Sequence, residues 1–433
     1  MLASFRNMFR VADLRNKVLF TLLVIAIYQF GTNVPIPGVD FAKIEHITNA
    51  ARSNGIIGYL SLFAGTGLSK AAVLGLGIMP YITASIIVQL LTPVIPKFDQ
   101  WRDQGAVGQR KLTQATRYLT VGLALMQSSG IVFLYHSGRL FASSGLSAAQ
   151  ADLIPDFTWP RVLFMILVLT AGTAFVMWLG EMITQRGIGN GMSLLIFSNV
   201  ISAIPIYGQF IKNDRGWLGV AIVLVVCLLL ITAIVFMEQG QRRIPVTFAK
   251  RVQGRRMYGG QSTYIPLKVN QAGVIPIIFA SSLLYIPVLL SNVIPWSTYR
   301  NWVNHNLLNP IDGVYLVVYG VLIVMFTFFY VHVQFDPYQQ ADQIRKQGGY
   351  IPGFRPGPPT ERYLSRILNR LTLPGSLFLA FVALIPSVLL RSWHVNNIPF
   401  FGTTLLIAVG VALETMKQID SQLMMRNYQG FLQ

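Results

Sequence analysis

Ten apolar stretches without a single lysine or arginine run through the chain, at residues 18–34, 71–92, 118–138, 162–182, 191–208, 217–238, 273–292, 313–332, 373–390 and 400–416. A helix rises about 1.5 Å per residue and the hydrocarbon layer of a bilayer is about 30 Å thick, so roughly 17–25 residues cross it. Each stretch reaches that length, which predicts ten transmembrane helices and an all-α polytopic membrane protein. A soluble core does not account for them: 12% of the residues are charged, about half the usual share of a soluble domain.

An even number of crossings puts both termini on one side. Of the 34 lysines and arginines, 25 then lie on the side of the termini and nine on the other. Basic residues gather on the cytoplasmic side of membrane proteins, which predicts cytoplasmic termini. Much of the formal net charge of +18 is therefore topological, and it does not by itself indicate nucleic acid. The basic N-terminus precedes the first stretch as in a signal peptide. No small-residue cleavage site follows it and further stretches do, so it reads as a retained anchor.

The interiors of the stretches carry no charge in their middle, where one costs at least about 2.5–3.5 kcal/mol and marks an ion or proton path. Glu181, Glu238 and Glu414 stand in last turns at cytoplasmic ends, where water and basic neighbours reach them. His46, His136, His305, His332 and His394 are scattered without ligand spacing, and Cys227 is the lone cysteine. Neither a metal nor another cofactor is indicated. An ion-coupled secondary transporter, the alternative function, would share broken helices but should show polar ligands at the midplane. An intramembrane enzyme would need a nucleophile with its base, paired aspartates or a metal cluster.

Two segments depart from plain spanning helices. Residues 55–69, GIIGYLSLFAGTGLS, are apolar but too short to cross and rich in glycine. They read as a re-entrant helix on the outer side or as a helix lying flat at the interface. GIMPYITAS at 77–85 and GVIPIIFAS at 273–281 share Gly, Pro, Ile, Ala and Ser at equal offsets. They fall in the second and seventh stretches, corresponding places in two sets of five. Five is odd, so such halves (1–208 and 209–433) would be inverted, with Gly/Pro-interrupted helices facing a central path. Chance or common packing is the other reading of the match. Pro80 and Pro276, taken as helix-interior residues, would each free a backbone carbonyl.

Several longer segments occur in order: GIMPYITASIIVQLLTP at 77–93, WLGEMITQRGIGNGMSLLIF at 178–197, GQRRIPVTFAKR at 240–251, YIPLKVNQAGVIPIIFASS at 264–282 and GFRPGPPTERYL at 353–364. With them the chain resembles the SecY family, the channel subunits of the bacterial protein translocase, from its first stretch to its last. The resemblance implies a protein-conducting channel for secretion across, and lateral insertion into, the bacterial cytoplasmic membrane, and no enzyme. It implies partners too: the small subunits SecE and SecG, the motor ATPase SecA, the ribosome, unfolded preproteins with signal sequences, and membrane lipid.

Matched residue by residue, the family pattern puts Ile78, Ile82, Met192, Ile196, Ile278 and Ile407 in a pore ring, with Met192 in place of the more usual isoleucine. Flexible aliphatic side chains there would seal by dewetting and still widen. Residues 55–69 match the family's plug, with Gly55, Leu60, Phe63, Gly65 and Gly67. The second and seventh stretches match its lateral gate, at Pro80, Ser85, Gln89, Pro276 and Ser281, where the hydroxyls and the amide offer modest interhelical bonds of about 0.6 kcal/mol each. Two cytoplasmic loops are the expected docking platform. Loop 239–272 holds seven basic and no acidic residues. Its alternation of Ile244, Val246 and Phe248, then Gly259-Gly260, then Ile265, Leu267 and Val269, predicts a β-hairpin. Arg242, Arg243, Lys250, Arg251, Arg255 and Arg256 are its docking residues. Loop 333–372 presents Arg355 on a Pro/Gly-rich tip between two predicted helices, matching the arginine the family needs for the motor.

Overall fold

The computed structural model describes residues 11–40, 67–68, 70–136, 153–154, 157–248, 251–253, 256–258, 262–293, 296–307, 312–392 and 401–429. The chain packs as two compact units, one of Met1–Leu224, Leu308–Ile311 and Ser387–Gln433, the other of Val225–Leu307 and Asp312–Pro386.

The first unit begins with α1 (Ala12–Gly31), which buries Leu14, Thr21, Val24 and Tyr28. The same helix exposes Leu19, Leu22, Leu23, Ile27 and Phe30. A helix apolar all round has lipid as its outer solvent. Helices α2 (Met79–Leu91) and α3 (Pro96–Asp103) meet at a 94° bend. Helix α4 (Ala106–His136) buries Gly108, Leu112, Thr116, Thr120, Ala124 and Ser128, one residue every four. Such a stripe of mostly small side chains lets neighbouring backbones approach, and van der Waals contact replaces a hydrophobic driving force that lipid cannot supply. Its partner α5 (Trp159–Arg186) answers with buried Thr170, Gly172, Thr173 and Gly180. Ser128 and Thr170 hydroxyls lie 3.3 Å apart across the seam. Helix α6 (Gly191–Gln239), whose residues from Val225 on count with the second unit, breaks at Gly216, whose φ of 67° is left-handed.

The second unit holds the strands β1 (Gln241–Phe248), β2 (Arg251–Gln253), β3 (Arg256–Tyr258) and β4 (Ser262–Lys268). They are followed by α7 (Ile275–Val293), α8 (Ser297–Asn306), α9 (Gly313–Gln334), α10 (Pro337–Lys346), β5 (Gly349–Tyr350) and α11 (Pro358–Ser392), whose residues from Ser387 on count with the first unit. The expected hairpin is present as an antiparallel pair of β1 and β4, with Ile244 opposite Ile265 and Val246 opposite Thr263. The short pair β2 and β3 continues it. Strand β5 adds to the other edge of β1, through Thr247 opposite Tyr350. Alternation sends Ile244, Val246 and Leu267 inward, where Ile344, Ile351, Leu364 and Ile367 cover them. The last helix, α12 (Phe401–Gln429), belongs to the first unit, where its Ile419 packs with Leu14 and Ile188.

Among the described residues six helices are long and apolar enough to cross a membrane, or seven if α2 and α3 form one broken span. They fall on the expected stretches 18–34, 118–138, 162–182, 217–238, 313–332 and 373–390, α1 ending at Gly31 and α4 at His136. The other four stretches fall on α2, on the part of α6 before its break, on α7 and on α12. For the second stretch the reason is local: residues 71–78 are turn, and the helix starts only at Met79.

Candidate functional site

The two repeat segments adopt the same local structure, each within its own unit. Gly77 has φ 55° and Gly273 φ 60°, a left-handed conformation that costs any residue with a Cβ roughly 1–2 kcal/mol. Two residues on, at Met79 and Ile275, the helices begin, each with its proline in second place. The hydrogen bonds correspond as well: Ile82 N donates to Ile78 O at 3.1 Å, and Ile278 N donates to Val274 O at 3.4 Å. Pro80 and Pro276 therefore do not interrupt helices, as their placement within apolar stretches had led us to expect. They open them, where an N–H has no helical partner in any case.

This geometry positions the ring candidates. Ile78 is the N-cap of α2 and Ile82 stands one turn on, both buried. Met192 and Ile196 share a face of α6 one turn apart, Ile196 buried and Met192 half-buried. The Met192 thioether lies against Gly180, where an added Cβ would come within 2.4 Å of its sulfur. Ile407 is buried on α12, and Ile278 is half-buried on α7 in the second unit. All six are aliphatic or thioether side chains.

Of the gate candidates, Pro80 and Pro276 are buried, Ser85 is half-buried and Gln89 is exposed. Ser281 is fully buried, and its hydroxyl donates to Ile278 O of its own helix at 2.9 Å. Of the plug candidates, Gly55, Leu60, Phe63 and Gly65 lie outside the described residues. Gly67 is buried against Thr32 and Gly75, and its carbonyl accepts from Ala72 N at 2.8 Å. Beside it the Tyr135 hydroxyl of α4 donates to Leu68 O at 2.7 Å.

On the docking platform, Arg242 and Arg243 are both exposed, although alternation points them to opposite faces of β1. The Arg243 guanidinium lies over the Tyr264 ring, 4.9 Å from its centroid. Arg251 and Arg256 sit on β2 and β3, and Lys250 and Arg255 lie outside the described residues. Arg355 is exposed on the tip between β5 and α11. The tip is braced from both sides: Phe354 stacks on Tyr363 at 4.0 Å, and the Thr360 hydroxyl donates to Arg355 O at 2.8 Å. In α10 the Lys346 ammonium lies 2.7 Å from the Asp342 carboxylate and Arg345 lies equally close. The Lys346 hydrogen bond, followed by the charges of both, holds that carboxyl below its ordinary range.

Four polar contacts were not anticipated from the sequence. Gln29 Nε2 donates to Ser198 Oγ at 2.7 Å and the neighbouring Asn199 Nδ2 donates to Tyr28 OH at 2.8 Å, tying α1 to α6. Arg117 and Glu181 pair in bidentate fashion between α4 and α5, at 2.7 and 2.6 Å. Asn270 Nδ2 donates to Glu238 Oε1 at 2.6 Å. Gln29 and Asn199, amides inside apolar stretches, were the available signal for the first two contacts.

The chain is similar to proteins of one known family. The SecY family profile matches residues 72–416. The protein translocase subunit SecY of Streptomyces galbus is 49% identical over 439 residues, covering all of both chains. A solved protein-conducting channel superposes with a TM-score of 0.60 at 20% identity, over 93% of this chain and 91% of that one. Sec61 in the canine ribosome–channel complex from the endoplasmic reticulum gives 0.58 at 19%, over 93% and 91%.

Proposed function

This chain belongs to the SecY family, and we propose that it is the protein-conducting channel of a bacterial translocase, passing unfolded polypeptides across the cytoplasmic membrane and releasing hydrophobic segments sideways into lipid. The observation that carries the proposal is the match over the whole chain to a protein translocase subunit at 49% identity. The site chemistry agrees with it. A pore that admits any sequence has no use for fixed ligands, and an aliphatic constriction excludes ions by dewetting. Ile78, Ile82, Met192, Ile196, Ile278 and Ile407 supply such side chains.

In this reading ten helices form two inverted halves, 1–208 and 209–433, with both termini cytoplasmic and residues 55–69 as a plug under the ring. The six or seven long apolar helices leave room for this count, because Gly191–Pro205 and Ile275–Leu284 are further apolar helices that fall short on length. Helices α2 and α7 line the lateral gate, with Ser85, Gln89 and Ser281 as its weak polar contacts. SecE and SecG complete the membrane complex. SecA and the ribosome dock on the hairpin and on the Arg355 tip, where exposed guanidinium groups suit carboxylates and RNA phosphates.

The pathway is tested in a thiol-free background made by Cys227→Ser. A cysteine placed singly at Ile82 or Ile278 is expected to cross-link to a cysteine in a stalled secretory substrate. One placed at Leu224, 55% exposed on α6, is not. Efficient cross-linking at Leu224 with none at the other two positions would move the pathway and undo the ring.

A further inference from the structure

The matching starts of α2 and α7 differ at one place. The Gly77 N–H donates to a backbone carbonyl, that of Leu74, at 2.9 Å. The Gly273 N–H donates instead to a side chain, Asn270 Oδ1, at 3.1 Å. Asn270 and Leu74 occupy the same offset, three residues before the glycine. Replacing a carbonyl by a side-chain amide leaves a spare donor, and Asn270 Nδ2 directs it to Glu238 Oε1, 2.6 Å away at the end of α6, while also reaching Gly273 O at 3.3 Å. Asn270 is 4% exposed, so this carboxylate–amide bond is shielded from competing water.

The bond sits at the root of the docking hairpin. Val269 N donates to Gly240 O at 3.0 Å, one step beyond the pair of Gln241 with Lys268. The Val269 carbonyl lies so close to α11 that a Cβ on Gly375 would meet it at 2.6 Å. Ala272 packs with Val331 of α9 and Leu368 of α11. The hairpin stem, the last turn of α6 and the first turn of α7 are thereby joined into one piece.

We propose that Glu238 and Asn270 are positioning residues that form a latch, holding α7 in its resting place against the hairpin root and releasing it when a docked partner displaces the hairpin. The proposal rests on the channel reading above. A hydrogen bond to a charged group biases an equilibrium by about tenfold or more, enough to set how often an idle gate opens.

The test uses the complete complex with its small subunits in proteoliposomes, and three readouts: idle ion conductance, ATP-driven export of a preprotein with a crippled signal sequence, and affinity for the motor ATPase. In Asn270→Asp the side chain still accepts from Gly273 N, so the turn survives, but two carboxylates now face each other. Conductance and export of the crippled preprotein are expected to rise about tenfold, with motor affinity unchanged. Adding Glu238→Gln restores a donor and acceptor in reversed order, and the double variant should return to near wild type. Glu238→Ala, which removes the acceptor without adding charge, should reproduce the single-variant behaviour and serves if Asn270→Asp does not assemble. Wild-type gating in both single variants, failure of the double variant to rescue, or a parallel loss of motor affinity would overturn the latch. Failure of the wild-type complex to export any preprotein would instead refute the channel reading itself.

Discussion

Gly172 offers a test of the packing that leads to the ring. It lies in α5 against the turn before α2, and a Cβ built on it would stand 2.2 Å from the carbonyl oxygen of Val73 and 3.1 Å from its carbon. Ordinary contact begins at 3.4 Å, so Gly172→Ala is short of room by about 1.2 Å. Both neighbours are backbone and cannot swing away as a side chain would. Val73 is also held from behind, its N–H donating to Val34 O at 2.8 Å beside the bridge of Pro35 with Ala72. Overpacking of this kind costs about 1–3 kcal/mol. Replacing a helical glycine by alanine returns about 0.5–1 kcal/mol, which leaves a net loss of up to about 2.5 kcal/mol. The control is Gly122→Ala in α4, where a Cβ meets nothing within 4 Å and only the gain applies. Thermal unfolding of the purified complex in mild detergent should therefore shift in opposite directions, down for Gly172→Ala and up slightly for Gly122→Ala. A midpoint for Gly172→Ala at or above that of Gly122→Ala would refute the close approach of α5 to this turn.

Two further predictions concern charged groups. Because Arg355 projects from a tip braced by Phe354, Tyr363 and Thr360, Arg355→Glu should keep the fold yet abolish ATP-driven export, with ribosome-coupled insertion less affected; normal export by that variant with purified motor would remove the assignment. The Arg117–Glu181 pair is bidentate but its side chains are 41% and 18% exposed, so a double-mutant cycle with Arg117→Gln and Glu181→Gln should give a coupling of about 1 kcal/mol, at the upper end for solvent-reached pairs. Strict additivity in denaturation experiments would show the pair to contribute nothing.

The features legible in the sequence are those written in short-range pattern. Hydropathy over about 20 residues located the six long apolar helices, and among the described residues it also fell on α2 and on shorter apolar helices. The alternation at Ile244, Val246 and Phe248 and its return at Ile265, Leu267 and Val269 located the hairpin, and the Pro/Gly run around Arg355 located an exposed tip. Each signal is local because the rise of a helix, the period of a strand and the φ of proline are properties of a few adjacent residues. The same patterns misplaced Pro80 and Pro276, because an apolar turn such as 71–78 has the hydropathy of a helix and lacks only its hydrogen bonds.

Only the tertiary structure decided which distant groups meet. Strand β5 joins β1 across about a hundred residues of chain, and the inner face of the hairpin is closed by Leu364 and Ile367 from α11. Gln29 finds Ser198, Arg117 finds Glu181 and Asn270 finds Glu238. A polar side chain out of water takes whichever partner the packed helices bring within about 3 Å. That partner is set by how small residues such as Gly172, Gly180 and Gly375 let backbones approach. No period in the sequence encodes this choice, because it depends on the fit of surfaces that exist only once the helices have formed.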